Sequence, residues 1–389
     1  MNKKCQNIAF NVMFLVGSQH ETAKNNGISH LLEHLIVQHL QKTEGWIKPY
    51  YLDQLIGETH KNRTEFYTTL IQTDLDKAIN IINNIYNFTM PPEEAFEAEK
   101  AVVLEELLAE EEDEYYKFDR ESDKWFYGKD TRSLPIGGTL RSLSKMTSKE
   151  VWEFYNRHYT VSNSLVAICG DIDQNLLNKN FKTKNVGLKP KISDSLMRFE
   201  ADDRVQIQDD HKDQLAYNEG WVMQTKEYQE IIELEFFVAF LNDFLFDTMR
   251  SKGLCYRCEV YAYTFVPFTE VTMNIWLESK KLKSFQKALQ LVVKNIESIF
   301  SENNLAAYKD EFLKIQILNV TDLNSFAGNM NWYQAFFNAE YSHQSQSRII
   351  DGITSAKMIK IFNELKMNKP GVIGLRGNVK NIKQDHLRN

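Results

Sequence analysis

Two histidines and a glutamate, His30-Leu31-Leu32-Glu33-His34, carry the densest chemistry in the sequence. On a helix, positions four apart lie about 40° apart around the axis, so both imidazoles leave one face and can hold the same metal ion. Glu33 stands one residue from the second imidazole. There a carboxylate can take a proton from water, whose pKa a zinc ion lowers to about 7. The chemistry is hydrolytic, and it lacks a third ligand. Half-exposed helices that bind nothing also carry the bare five-residue pattern, so the third ligand decides its meaning.

The acid-rich segment 92–112 offers one. Glu99 and Glu106 are seven residues apart, two helical turns, with Val102 and Val103 in the stripe between them. Carboxylates in line with valines fit a metal ligand and a neighbour that supports it. They also fit a helix that is simply acidic, since Glu110, Glu111, Glu112, Asp113 and Glu114 follow. Spacing leaves both readings open, with Glu105 and Glu110 as alternative ligands.

Placing these groups requires a scaffold. Residues 8–16 read as a buried strand that Gly17-Ser18 ends, and Gly27 precedes an amphipathic helix over 29–40. Further on come a helix near 49–56, a strand near 63–72, a helix near 74–88 and the long helix over 92–112. Pro91, Pro92, Glu93 and Glu94 suit the start of that long helix. A helix near 147–158 leads to a strand at 164–169 closed by Gly170-Asp171.

Residues 186–204 mix Pro, Gly, Ser and charges without a period, which places a linker there, between domains at 1–185 and 205–389. The order then repeats: a strand at 215–223, a helix at 228–249, a hairpin of 254–264 and 268–278 around Pro267, and helices at 280–300 and 303–320. The stretch Val372-Ile373-Gly374-Leu375-Arg376-Gly377-Asn378 matches Val166-Ala167-Ile168-Cys169-Gly170-Asp171 as a strand ending in Gly and a polar residue. The fold class expected is α+β, two copies of one unit.

Composition narrows the partners. The 389 residues carry 46 Lys plus Arg against 53 Asp plus Glu, a net charge of −7, and no basic cluster that could neutralise phosphates, which argues against nucleic acid. No apolar run approaches the roughly 18 residues of a spanning helix, so no membrane is expected. The start resembles a signal peptide only superficially, because Gln6, Asn7 and Asn11 interrupt its apolar stretch. Four cysteines, at 5, 169, 255 and 258, fit a reducing, cytoplasmic setting. Cys255-x-x-Cys258 has redox or metal-binding spacing, but its strand context points to packing. His39 is expected on the far side of the helix, and His60 along the cleft without binding metal.

Taken in order, these motifs resemble the pitrilysin, insulinase and mitochondrial-processing-peptidase superfamily of inverzincin zinc peptidases, marked by H-x-x-E-H. Gly17-Ser18, Glu21 and Gly27-Ile28-Ser29-His30 look like the family's approach to its zinc helix. Glu99 to Glu106 looks like the downstream segment, and the match implies Glu106 as third Zn²⁺ ligand and Glu99 as its support. Leu134-Pro135-Ile136-Gly137-Gly138-Thr139, Phe154-Tyr155, Tyr159-Thr160, Asn163 and Gly170-Asp171 also follow the pattern, which covers most of 8–173. The resemblance implies two α/β-roll domains of the mitochondrial-processing-peptidase type, each a mainly antiparallel sheet packed by helices.

The second half is similar in Arg250-Ser251-Lys252-Gly253-Leu254-Cys255-Tyr256, the family's Arg…Gly-Leu-x-Tyr element, one residue shorter than usual between Arg250 and Tyr256. Its match implies that Tyr256, with Arg250, grips the substrate near the metal. A core aromatic on a hairpin strand is the other reading of Tyr256. The edge strand that normally reads Asn-Ala-x-Thr here reads Ile56-Gly57-Glu58-Thr59, and too few residues precede 8–16 for the usual hairpin. By resemblance, Glu33 is the base in a zinc endopeptidase that takes an extended peptide along that edge. A chamber of four such domains implies a homodimer, or a heterodimer with a second half-size subunit. The alternatives are a non-catalytic, chamber-forming or peptide-binding subunit, and a maturation peptidase for one ribosomally made peptide.

Overall fold

The computed structural model describes residues 6–45, 55–172, 205–209, 213–319, 322–369, 371–380 and 382. Two compact units emerge, one of Met1–Ile192 with Asn319–Glu340, the other of Ser193–Leu318 with Tyr341–Asn389. The first is built on β1 (Asn7–Phe14), α1 (Ile28–Thr43), β2 (Ile56–Thr59), β3 (Thr64–Ile71), α2 (Leu75–Tyr86), α3 (Glu93–Glu112), α4 (Glu114–Tyr127), α5 (Leu140–Leu143), α6 (Ser148–His158) and β4 (Ser164–Cys169). Its strands run antiparallel in the order β2-β3-β1-β4. Alternation along β1 sends Ile8, Phe10, Val12 and Phe14 into one core with Leu31, Leu35, Ile82 and Tyr155. Burial of that apolar face of β1 seats α1 against the sheet.

The second unit has β5 (Val205–Asp209), β6 (Gln214–Gln224), α7 (Tyr228–Ser251), β7 (Arg257–Phe265), β8 (Phe268–Glu278), α8 (Leu282–Lys294), α9 (Ile296–Ile299) and α10 (Glu302–Asn319). After α11 (Leu323–Phe337) come α12 (His343–Asp351), α13 (Ser355–Glu364) and β9 (Val372–Gly377). The sheet order is β5-β9-β6-β8-β7, antiparallel except for β5 beside β9. Its segment β9-β6-β8-β7 repeats β4-β1-β3-β2 of the first unit, so the expected α+β repeat holds in topology. One backbone detail repeats with it. Gly170 and Gly377 both sit at φ +143°, and a Cβ on either would press into the first residues of the central strand, at 2.9 Å from Asn7 O and 2.4 Å from Gln214 O. Only glycine takes that conformation without strain, which is why both strands end in Gly followed by a polar residue.

Two sequence expectations change. The segment near 49–56 was expected as helix, but Ile56 begins β2, and 46–54 lie outside the described residues. The division at 186–204, itself outside the described residues, assigns everything after 204 to the second domain, whereas α11 packs within the first unit. The reason is the other face of β1. Asn331 Nδ2 donates to Asn11 O at 2.9 Å and to Asn11 Oδ1 at 2.7 Å, Asn11 Nδ2 donates to Glu65 Oε2 at 2.6 Å, and Ala327 packs with Ala167 and Cys169. No described helix is long and apolar enough to cross a membrane.

Candidate metal centre

The first turn of α1 is fixed from outside the helix. Glu21, 2% exposed, accepts hydrogen bonds from Gly27 N at 2.7 Å, Asn26 Nδ2 at 2.9 Å and Ser29 N at 2.9 Å, so a carboxylate meets the helix's unsatisfied N–H groups. Burial pushes its carboxyl up to about 7, with these donors acting against that rise. The Gly137-Gly138 backbone crosses the same turn so closely that a Cβ on Gly27 would lie 2.8 Å from Gly137 O. That contact gives the Leu134–Thr139 motif a physical purpose.

From this anchored turn, His30 and His34 project with ring centroids 4.7 Å apart and planes near perpendicular at 83°. Opposite them, α3 presents Glu106 and, two turns earlier, Glu99. One ligand atom from each of His30, His34 and Glu106 lies within 4.8 Å of the others. His34 Nε2 is 3.3 Å from Glu106 Oε2, and His34 Nδ1 meets Glu99 Oε1 at 3.1 Å. Gln38 Nε2 donates to Glu99 Oε2 at 2.5 Å. Of the acids that spacing left open, Glu106 is the one grouped with both imidazoles, while Glu99 meets His34 alone.

The donor set suits a divalent cation. His30 Nδ1 is buried with no hydrogen-bond partner among the described residues. Burial, then the neighbouring His34, pushes the His30 imidazole down to about 4, so the ring is neutral and has a lone pair to give. Burial lowers His34, but the Glu99 hydrogen bond and the Glu33, Glu106 and Glu99 charges outweigh it and raise its pKa. A site that gathers carboxylates around one imidazole favours positive charge, whether a proton or a metal. Two imidazoles and a carboxylate match a catalytic zinc site in number and type.

Glu33 is 7% exposed, and its Oε2 accepts from Thr59 Oγ1 at 3.0 Å. Burial pushes its carboxyl up to about 7, opposed by His34 and the Thr59 hydrogen bond. A Cβ on Gly57 would fall 2.3 Å from Glu33 Oε1, so β2 approaches the carboxylate as closely as it does only because residue 57 has no side chain. The sequence places Thr59 only on the edge strand 56–59 and does not single out Gln38. Gln38 continues the His30–His34 stripe by one turn, a signal that was present, whereas Thr59 acts through the pairing of separate elements.

The remaining candidates take these places. Arg250 ends α7 in the second unit with its guanidinium 5.2 Å from the Phe246 ring centroid. Tyr256, 47% exposed, donates its backbone N–H to Trp276 O at 3.2 Å just before β7, so it is a surface residue and not a core aromatic. His39 packs edge-on against Phe88 at 5.4 Å. His60 lies outside the ligand set, its Nε2 3.3 Å from Glu58 Oε1.

Fold and site together define a class, a repeated α+β roll whose first copy bears a two-imidazole, one-carboxylate cluster beside a buried glutamate. Residues 2–123 match the family model Insulinase (Peptidase family M16), and residues 145–312 match Peptidase M16 inactive domain; the chain belongs to this family. Over 170 residues, 43% of this chain, it is 28% identical to an uncharacterized zinc protease of Streptomyces coelicolor, 37% of which is covered. The chain thus spans well under half the length of that relative. A protease from Helicobacter pylori has the same fold, with a TM-score of 0.81 at 16% identity over 96% of this chain and 94% of that one. A peptidase M16 inactive domain from Pseudomonas fluorescens aligns with a TM-score of 0.75 at 14% identity over 96% and 93%.

Proposed function

We propose that this chain is a zinc-dependent endopeptidase acting on peptides or leader segments bound in extended form. The observation that carries the reading is the convergence of His30, His34 and Glu106 within 4.8 Å, with Glu33 buried beside them. These three residues would hold Zn²⁺, which when bound supplies Lewis acidity toward water and a peptide carbonyl. Glu33, oriented by Thr59, takes the proton from the attacking water and returns it to the leaving nitrogen. Glu99 orients His34 through its Nδ1. Among the described residues β2 is the edge strand of its sheet and offers backbone groups to an extended peptide, and Tyr256 and Arg250 are the residues that the family resemblance assigns to the developing oxyanion.

The test separates binding from chemistry. Purified protein is expected to hold about one zinc per chain, a set of two imidazoles and one carboxylate leaving the fourth position open. Glu33→Gln is expected to keep that zinc and lose peptide hydrolysis, while His30→Ala, His34→Ala and Glu106→Gln lose zinc. Wild-type protein that holds zinc but cleaves no peptide, alone or with a second subunit, would favour the chamber-forming role instead. Protein that takes up no zinc would overturn the site.

A further inference from the structure

The internal repeat marks a place where the second unit carries a group that its fold does not require. Ala9 pairs with Cys169 on β4 and Ala216 pairs with Arg376 on β9, each partner one residue before the repeated glycine, so Val12 corresponds to Glu219. On the same face Phe10 corresponds to Tyr217 and Phe14 to Trp221, and the neighbouring strand puts Met273 opposite Glu219 where Phe66 stands opposite Val12. In the first unit these positions are apolar core. In the second they include a buried carboxyl, 4% exposed.

This face of β6 lines a cavity of about 290 Å³ that α7, α8, α9 and α13 enclose. Its apolar walls are Leu241, Leu245, Met273, Val292, Ile296 and Phe362, and the exposed Lys294 and Lys369 stand at its rim. Tyr217 and Glu219 bring polar atoms to its sheet side. Tyr217 Oη donates to Glu219 Oε2 at 2.6 Å, and Gly371 N donates to Glu219 Oε1 at 2.9 Å. Neither donor is a cation. A carboxylate has about four acceptor positions, of which these donors use two. Burial pushes the Glu219 carboxyl up, against both hydrogen bonds. Were Glu219 needed only to hold Gly371 N, an amide would serve without burying an acid.

We propose that this cavity binds a small organic amine, its ammonium donating to Glu219 and its apolar body packed among Leu241, Leu245, Met273 and Phe362. An ammonium brings both the donors and the countercharge that Glu219 lacks, and hydrogen bonds between ions are the strong ones. A cavity of about 150 Å³ holds benzene, so roughly twice that volume takes an apolar body of about ten carbons. The rival ligand is a carboxylic acid with its head at Lys294 and Lys369. Its apolar end would reach Glu219 and give the carboxyl no hydrogen bond, which the buried acid disfavours.

The experiment titrates the intact protein by isothermal calorimetry with phenylbutylamine, phenylbutanol and phenylbutyrate, which share one apolar body and differ in the head. The amine is expected to bind about ten- to hundredfold more tightly than the alcohol, the difference that a charged hydrogen bond makes. Glu219→Gln keeps an acceptor for Gly371 N and is expected to bring the amine down to the affinity of the alcohol. Leu289→Trp, which fills the cavity from α8, is expected to weaken both. In the wild type, equal affinity for amine and alcohol, tighter binding of phenylbutyrate, or no amine binding at millimolar concentration would each overturn the proposal, whether or not the Glu219 variant folds. Amine binding that Glu219→Gln or Leu289→Trp leaves unchanged would overturn it as well. Every readout is equilibrium binding without peptide hydrolysis, so failure here leaves the metal centre standing.

Discussion

Among single side chains, Glu33 depends most on its immediate neighbours, because Thr59 holds one of its oxygens and the bare Cα of Gly57 leaves room for the other. Gly57→Val fills that room, and the carboxylate must move. A misplacement near 1 Å costs about a hundredfold in rate, so peptide hydrolysis is expected to fall to that extent with zinc content unchanged. An unaltered rate in a zinc-loaded Gly57→Val protein would show that Glu33 tolerates displacement. Glu99→Ala tests the other side of the site. It leaves His34 Nδ1 and Gln38 without their acceptor, and zinc affinity measured by competition with a chelator is expected to drop about 10- to 100-fold. At this scale the sequence was most informative where geometry is local. His30, Glu33 and His34 share one turn, and helical periodicity alone places them. Glu106 could not be separated from Glu105 and Glu110 by spacing, because the distinction lies in how α3 is rotated against α1.

Elements lose legibility where tertiary packing supplies their stability. β1, α2 and α6 announce themselves through apolar period and caps, Thr147 and Glu150 forming a reciprocal cap at the start of α6. By contrast, α11 reads Leu-Asn-Ser-Phe-Ala-Gly-Asn-Met-Asn, with three asparagines and a glycine that disfavour an isolated helix. It is held by Asp322, whose side chain accepts from Asn324 N and Ser325 N, and by the buried Asn331–Asn11–Glu65 chain of hydrogen bonds. Asn331→Leu removes the donor to two buried acceptors on Asn11. A loss of about 1–3 kcal/mol in unfolding free energy is expected for this change, read from a lower denaturant midpoint at constant slope. A stability equal to wild type would mean that α11 is held by Ala327 and its apolar neighbours alone.

For the whole molecule, the repeat of β4-β1-β3-β2 as β9-β6-β8-β7 was foreshadowed by two matching glycine-terminated strands, while the return of α11 to the first unit was not, since no local pattern encodes which sheet a distant helix will cover. The further proposal at this scale is pairing. If a four-domain chamber is needed, as the family resemblance implies, two copies of this chain or one copy with a second half-size subunit would supply it. Sedimentation velocity is expected to show a dimer or a tight complex, with specific activity falling on dilution below the dissociation constant. A monomer with undiminished activity at high dilution would limit the function to one chain.

The discontinuity of the first unit also has a schedule written into it. A ribosome delivers the sheet and the metal ligands by residue 172, but the helix that covers Asn11, Glu65, Ala167 and Cys169 arrives only with residues 323–337. At synthesis rates of roughly 5–20 residues per second, the nascent sheet waits on the order of ten to thirty seconds with that face uncovered. During that interval the growing chain is a natural client for a chaperone. A fragment ending before α11 would keep the uncovered face permanently, so the metal-bearing half is expected to be recovered in soluble form only when 319–340 are supplied with it.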